Sequence, residues 1–261
     1  MLKVNDLFCG CGGMAVGFLN AGFEIAGAWD FDKYAVQSYR ENVGDHVKQM
    51  DIREMSHKDI PKADVWTFGF PCQDLSVAGK QKGLIEGERS GLFFEVMRLL
   101  SDTPLEDKPK VILAENVKGL KPYIPIVEEE YRKQGYVMYI KLFNSKYWGV
   151  PQNRERYFVV GIREDLPQTF EFPEEQTEFV PKLSSILESQ VDEKYYISDE
   201  KARSILEKFD LGQGEAYSCP LKFLDRNQNQ LPEYAVCCDV SQTNGVALRE
   251  VAATKEVDHE D

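Results

Sequence analysis

Cys72 follows Pro71 directly, in the stretch GFPCQDLSVAGK at residues 69–80. A structural cysteine usually sits in an apolar run. This one stands in a loop of small and polar residues, at the end of the apolar segment ADVWTFGF. A thiol so placed can act as a nucleophile. Glu115 and Asn116 follow a second apolar segment, in KVILAENV, and bring a carboxyl and an amide to a comparable place. A thiol and a carboxyl at neighbouring strand ends can work together, one as nucleophile and one as acid or hydrogen-bond partner. Arg154 and Arg156 stand two apart in QNRER, just as a last strand begins. Alternate residues of a strand share a face, so both guanidiniums could point into one site.

A second set lies near the N-terminus. DLFCGCGG follows one apolar segment and opens a helical one. Glycines 10, 12 and 13 allow backbone to approach a ligand, and a helix start offers free N–H groups to an anionic group. Asp30 lies 20 residues after Gly10, at the end of the next strand, where a carboxylate suits a ribose diol. Asp51, after a third strand, could accept from an adenine amino group. The combination suggests an adenosine-containing cofactor. The loop is not G-x-G-x-x-G and no P-loop lysine follows, which points away from NAD and ATP. The plainer readings are a tight turn without ligand, a packed thiol at Cys72, a helix-capping Glu115 and surface arginines. Four polar elements ending on one rim are hard to explain as packing alone.

These residues need a scaffold that gathers strand ends. LKVNDLF, EIAGAWD, a short strand ending at MDI, ADVWTFGF and KVILAENV read as strands; VMYIKLF and RYFVVGI read as two more. Between them AVGFLNAGF, KYAVQSYREN, GLFFEVMRLLSD and IPIVEEEYRKQGY carry helical spacing. Such alternation predicts an α/β fold: a mostly parallel sheet with helices on both faces and ligands outside the carboxyl ends of its strands. The alternating pattern marks residues 1–164 as one domain, which would hold both the catalytic and the cofactor-binding candidates. Residues 165–217 read as a Pro- and Glu-rich connection with a helical extension, and residues 218–261 as a weakly periodic region with an acidic tail.

The chain carries 31 Lys and Arg against 44 Asp and Glu, a net charge of −13. That excludes a binder of nucleic acid that works by bulk positive charge, though not a locally basic cleft. Six cysteines (9, 11, 72, 219, 237 and 238) fit no zinc spacing, so no metal is expected and most should be small buried hydrophobes. No stretch is long enough to span a bilayer and no signal-peptide pattern opens the chain, so no membrane partner and a cytoplasmic location are expected.

The order DLFCGCGG, then GFPCQ-x-L-S with GKQKG, then ENV, then QNRER strongly resembles the C5-cytosine DNA methyltransferases, from about Lys3 to Gly161. The resemblance implies a Rossmann-like S-adenosyl-L-methionine-dependent methyltransferase fold with seven strands. It implies that the Cys72 thiolate adds to carbon 6 of a flipped-out cytosine in double-stranded DNA, so that carbon 5 becomes nucleophilic. Glu115 would hydrogen-bond ring nitrogen 3 and the exocyclic amine. Arg156 would hold the oxygen at carbon 2, and Arg154 would orient the site and the thiolate. Lys80 and Lys82 would meet phosphates, with Gln73, Ser76 and Asn116 also on the substrate side. Phe8, Gly10, Gly12, Gly13, Asp30, Phe31, Asp51, Ile52 and Pro71 would line the cofactor, with Phe31 stacked on the adenine. Asp30 stands where the family usually carries a glutamate.

After the arginine motif the family usually has a target-recognition region, of which residues 218–261, with LKFLDRNQNQ, would be a partial or degenerate form, and a closing block with a Gly-Asn pair. No such block is legible before the end SQTNGVALREVAATKEVDHED. The resemblance thus implies a truncated chain, a degenerate relative, or one subunit of a split enzyme. In the last case a second subunit supplies recognition. Beside the DNA methyltransferase stand two rivals: an incomplete homologue that binds cofactor or partner without methylating, and an RNA cytosine-5 methyltransferase using the same residues. A thiol-disulfide enzyme is remote, because no C-x-x-C is present.

Overall fold

The computed structural model describes residues 1–71, 91–178, 186 and 235–236. The chain divides into two units, Met1–Phe143 with Arg156–Phe172, and Asn144–Glu155 with Pro173–Asp261. The first unit is built on a seven-stranded sheet. Its strands are β1 (Lys3–Leu7), β2 (Glu24–Asp30), β3 (Val47–Gln49), β4 (Val65–Phe68), β5 (Val111–Val117), β6 (Tyr136–Asn144) and β8 (Glu155–Arg163). Their order is β3-β2-β1-β4-β5-β8-β6. The pairs β2–β3, β1–β2, β1–β4 and β4–β5 are parallel, and β5–β8 is antiparallel. This is the mostly parallel, seven-stranded sheet that the sequence predicts. In the second unit β7 (Gln152–Asn153) pairs in parallel with β9 (Ala235–Val236).

Alternation along the strands separates two cores. Val4 pairs in register with Val65, and Asp6 with Thr67, on one face. Helices α1 (Gly13–Asn20) and α2 (Lys33–Asn42) cover that face through Ala15, Val36 and Tyr39. Leu7, Trp66 and Phe68 face the other way. They pack with Phe93, Val96, Leu99 and Leu100 of α3 (Leu92–Asp102) and with Val127 and Tyr131 of α4 (Ile124–Lys133). Each large apolar side chain fully buried there is worth roughly 1.5–3 kcal/mol.

Local chemistry sets the helix starts. Asp32 caps α2, its carboxylate accepting from the N–H groups of Tyr34 at 2.7 Å and Ala35 at 3.0 Å. Gly12 caps α1 without a side chain. There the buried Asp6 carboxyl accepts the Ala15 N–H from beneath.

Three sequence expectations shift. The third strand stops at Gln49, so Asp51 instead caps a 3₁₀ turn, η1 (Ile52–Glu54). Glu115 and Asn116 lie within β5 rather than after it. Arg154 falls in the break between β7 and β8 and belongs to the second unit, so strand alternation does not link it to Arg156.

Candidate active site

In the first unit the ends of β3, β2, β1, β4 and β5 form one rim, and β8 starts on it. The glycine loop follows β1. Phe8, Gly10 and Gly12 all have positive φ, at 56°, 55° and 93°. The turn is closed by Cys9 N–H donating to the Trp29 carbonyl at 3.0 Å and Gly12 N–H to the Cys9 carbonyl at 2.9 Å. A Cβ at Gly12 would collide with the Val43 side chain and press on Tyr39, so Gly12 serves close packing against α2. Around Gly10 and Gly13 a Cβ would meet nothing within 4 Å, so backbone there faces open space.

Asp30 binds the loop to β2. Its Oδ2 accepts Gly10 N–H and its Oδ1 accepts Asp32 N–H, both at 2.9 Å. Phe31 is 62% exposed beside it. Met50 N–H donates to the Asp30 carbonyl at 2.9 Å, which brings Asp51 alongside. The Asp51 carboxylate is gripped by Arg53. It accepts from Arg53 N–H at 3.0 Å, from Nε at 3.0 and 3.1 Å, and from Nη2. The Arg53 hydrogen bonds hold the Asp51 carboxyl below the usual carboxylate range. Ile52 is buried beneath.

On the other half of the rim, Arg156 Nε lies 3.0 Å from Glu115 Oε1, and both side chains are about three-quarters buried. A Cβ at Gly69 would sit 3.8 Å from Glu115 Oε2, which places that oxygen against the segment leading to Pro71. Asn116 is buried. Its Nδ2 donates to the Phe70 carbonyl at 3.2 Å and its Oδ1 accepts Val117 N–H at 2.8 Å. Assigned above to the substrate side, Asn116 is found tying β5 to the Phe70–Pro71 peptide. Pro71 is half-buried at the end of this stretch. Cys72, Gln73, Ser76, Lys80 and Lys82 lie outside the described residues, as does nearly all of the region 218–261.

In the second unit, Arg154 N–H donates to Asn144 Oδ1 at 3.1 Å, and its carbonyl accepts from Ser145 N–H at 3.1 Å and Ser145 Oγ at 3.3 Å.

Two residues with structural weight at this rim were not singled out from the sequence. Asp6 is buried under the glycine loop with Oδ2 unpartnered among the described residues. Burial, reinforced by nearby Asp30, pushes its carboxyl up to about 8, against the opposing pull of the Ala15 N–H. An acid inside the apolar strand KVNDL is the visible signal. Arg53 is the other; only its place two residues after Asp51 hints at its role. Cys9 is buried, and burial pushes its thiol far up, which marks it as packing. Cys11, by contrast, is exposed.

Residues 2–259 match the C-5 cytosine-specific DNA methylase family. The chain belongs to that family. It is 41% identical to the type II methyltransferase M.NgoFVII of Neisseria gonorrhoeae over 179 residues, covering 66% of this chain and 46% of the relative. It is 34% identical to the orphan methyltransferase M.Rho11sI of Bacillus phage rho11s, covering 80% and 48%. The chain thus spans about half the length of these relatives. Among solved structures it resembles the Dnmt2 methyltransferase of S. pombe, with a TM-score of 0.62 and 25% identity over 80% of this chain and 66% of that one. No described helix is long and apolar enough to cross a membrane.

Proposed function

We propose that this chain carries the catalytic and cofactor-binding machinery of a DNA cytosine-5 methyltransferase, with Cys72 as nucleophile. The observation that carries the reading is the Glu115–Arg156 pair on β5 and β8, set against the backbone that leads into Pro71. Family membership supplies the reaction class.

The rim fits an adenosyl group. Gly10 and Gly13 present open backbone. Each Asp30 oxygen accepts one N–H and keeps a second lone pair for a ribose hydroxyl. Phe31 offers an exposed ring, and the adenine edge would meet Ile52 and the Asp51 carboxylate that Arg53 now holds. When bound, S-adenosyl-L-methionine supplies an electrophilic methyl group. Gly10, Gly12, Gly13 and Phe8 form its cradle, with Pro71 at the boundary to the substrate.

The chain's own residues prepare the base. The Cys72 thiolate adds to carbon 6 of an extruded cytosine, and the electron pair of the 5,6 double bond becomes available at carbon 5. Glu115 accepts from the exocyclic amine and, carrying a proton, donates to nitrogen 3, which draws charge away from carbon 6. Arg156 holds Glu115 by its Nε and would meet the oxygen at carbon 2. Asn116 fixes the Phe70–Pro71 peptide, and so the point from which Cys72 departs. Once carbon 5 is alkylated, its proton passes to solvent water, the C5–H electron pair re-forms the 5,6 double bond, and the Cys72 thiolate leaves carbon 6.

The test is transfer of labelled methyl groups to mixed-sequence duplex DNA and, in parallel, to tRNA. Label at carbon 5 of cytosine in DNA is the expected outcome. Label in tRNA alone would move the substrate to RNA, and label at another atom would refute the assignment.

A further inference from the structure

Arg98 lies in the middle of α3 and makes four polar contacts. Two are on its own helix: Nε to Glu95 Oε2 at 2.7 Å and Nη1 to Asp102 Oδ2 at 3.4 Å. Two cross to the turn after β3: Nη2 donates to the carbonyls of Ile52 at 3.2 Å and Met55 at 3.0 Å. The acids at one turn before and one turn after hold the guanidinium in plane, so that its free edge is aimed at η1.

The turn it reaches is a single 3₁₀ turn of three residues, and such a turn leaves carbonyls without partners at its C-terminal end. Asp51 caps the N-terminal end, accepting Arg53 N–H. At the other end, Met55 N–H donates to Ile52 O at 3.2 Å, and Arg98 adds its bonds to Ile52 O and Met55 O. The Ile52 and Met55 side chains are buried and anchor the turn to the core. Burial fixes where the turn sits. Rotation of the peptide planes after Asp51 is fixed by hydrogen bonds, and Arg98 supplies them from 46 residues away.

We infer that Arg98 is a positioning residue for recognition of the cofactor's purine: it sets the orientation of the Asp51–Ile52 edge that tells an amino group from an oxo group. The inference rests on the proposed reading that Asp51 and Ile52 face the adenine. Arg98 itself touches no ligand in this account; it acts by holding the peptide that carries the reading residues. A rigid hydrogen-bonding edge rejects a ligand of wrong polarity far better than a loose one.

The experiment measures dissociation constants of S-adenosylhomocysteine and S-inosylhomocysteine by calorimetry. The two ligands differ at one purine edge: amino with an acceptor N1 in the first, oxo with a donor N1–H in the second. The proteins are the 261-residue chain, Arg98→Lys, Arg98→Met and Asp51→Ala, with thermal unfolding of each. Wild type is expected to prefer the adenosyl ligand by roughly tenfold or more. Arg98→Met should reduce that preference several-fold, mostly by weakening the adenosyl ligand. Arg98→Lys, which keeps a donor but not the planar fork, should fall between. A preference unchanged in Arg98→Met, with only a lowered Tm, would overturn the inference and leave Arg98 as a structural tie. If Arg98→Met does not fold, Arg98→Lys decides: a reduced preference supports the inference and an unchanged one overturns it. Asp51→Ala separates the two layers. If wild type and Asp51→Ala show the same preference, the adenine assignment itself is wrong and the inference falls with it. If Asp51→Ala loses the preference and both Arg98 variants keep it, only the inference fails.

Discussion

Arg156 opposes Val117 in the β5–β8 ladder, yet its Nε lies 3.0 Å from Glu115, two residues back along β5. The pair is therefore a diagonal cross-strand contact, and the antiparallel register of β8 creates it. A parallel seventh strand would start at the opposite rim and carry its first arginine away from Glu115. The reversed β5–β8 pair thus brings an arginine to the end of β5.

Arg156→Ala should leave the fold largely intact, because the pair keeps about a quarter of its surface in water. The expected loss of stability is about 1 kcal/mol, between the values for exposed and buried ion pairs. Methyl transfer should fall by about a hundredfold or more, the usual effect of removing a preorganised donor. Glu115→Gln should do the same with the charge removed from the other side. Urea unfolding and single-turnover transfer separate the two effects. A large loss of stability with turnover preserved would make the pair structural.

Asn116 makes a different prediction. Asn116→Ala leaves the Phe70 carbonyl without its donor and should cost about 1–3 kcal/mol by urea unfolding. It should also slow adduct formation by Cys72 more than it weakens cofactor binding, since the amide ties Val117 N–H of β5 to the Phe70 carbonyl before Pro71. Weakened cofactor affinity with adduct rates unchanged would place its role elsewhere.

Much of this site was readable before the structure. β2 and α2 form where the apolar spacing predicts, and among the described residues Gly10, Asp30, Glu115 and Arg156 lie along one rim of the sheet. What was not readable depends on distance in sequence or on a one-residue break. Nothing local says that Arg98 reaches back to Ile52, or that Asn116 turns inward to Phe70 while its neighbour Glu115 meets Arg156. Arg154 and Arg156 have the spacing of strand neighbours, but the ladder interrupts at Arg154. Asp6 was visible as an acid in an apolar strand; its burial beneath α1 required the sheet register that pairs it with Thr67.

Asp6 should give the protein a measurable pH dependence. Its carboxyl titrates at about 8 in the fold against an ordinary value of 3.8. The folded state therefore binds the extra proton across that window, and the unfolded state does not. The stabilising contribution is complete below the ordinary value and is lost as pH rises towards about 8, with a slope of up to ~1.4 kcal/mol per pH unit. Asp6→Asn keeps the shape without the proton. The stability difference between wild type and Asp6→Asn should move against wild type between about pH 5 and about pH 8. A difference independent of pH would mean that Asp6 is charged in the fold.

Arg53 competes with any donor that approaches Asp51. Four N–H contacts from this one residue address the lone pairs of the carboxylate, while the Arg53 side chain is 66% exposed and can swing away. Arg53→Ala should tighten S-adenosylhomocysteine binding by about two- to fivefold, the scale of an exposed ion pair. Added salt should tighten binding to wild type more than to the variant. Weaker binding by Arg53→Ala would instead make the arginine a support for Asp51.

The central claim is that Cys72 bonds to the target base, and covalent trapping tests it directly. Duplex DNA carrying 5-fluorocytosine is incubated with S-adenosyl-L-methionine and the protein, then denatured and digested, and the modified peptide is identified by mass. A DNA adduct is expected on the peptide containing Cys72 and none with Cys72→Ser. An adduct on another residue, or trapping by Cys72→Ser as efficient as by wild type, would contradict it.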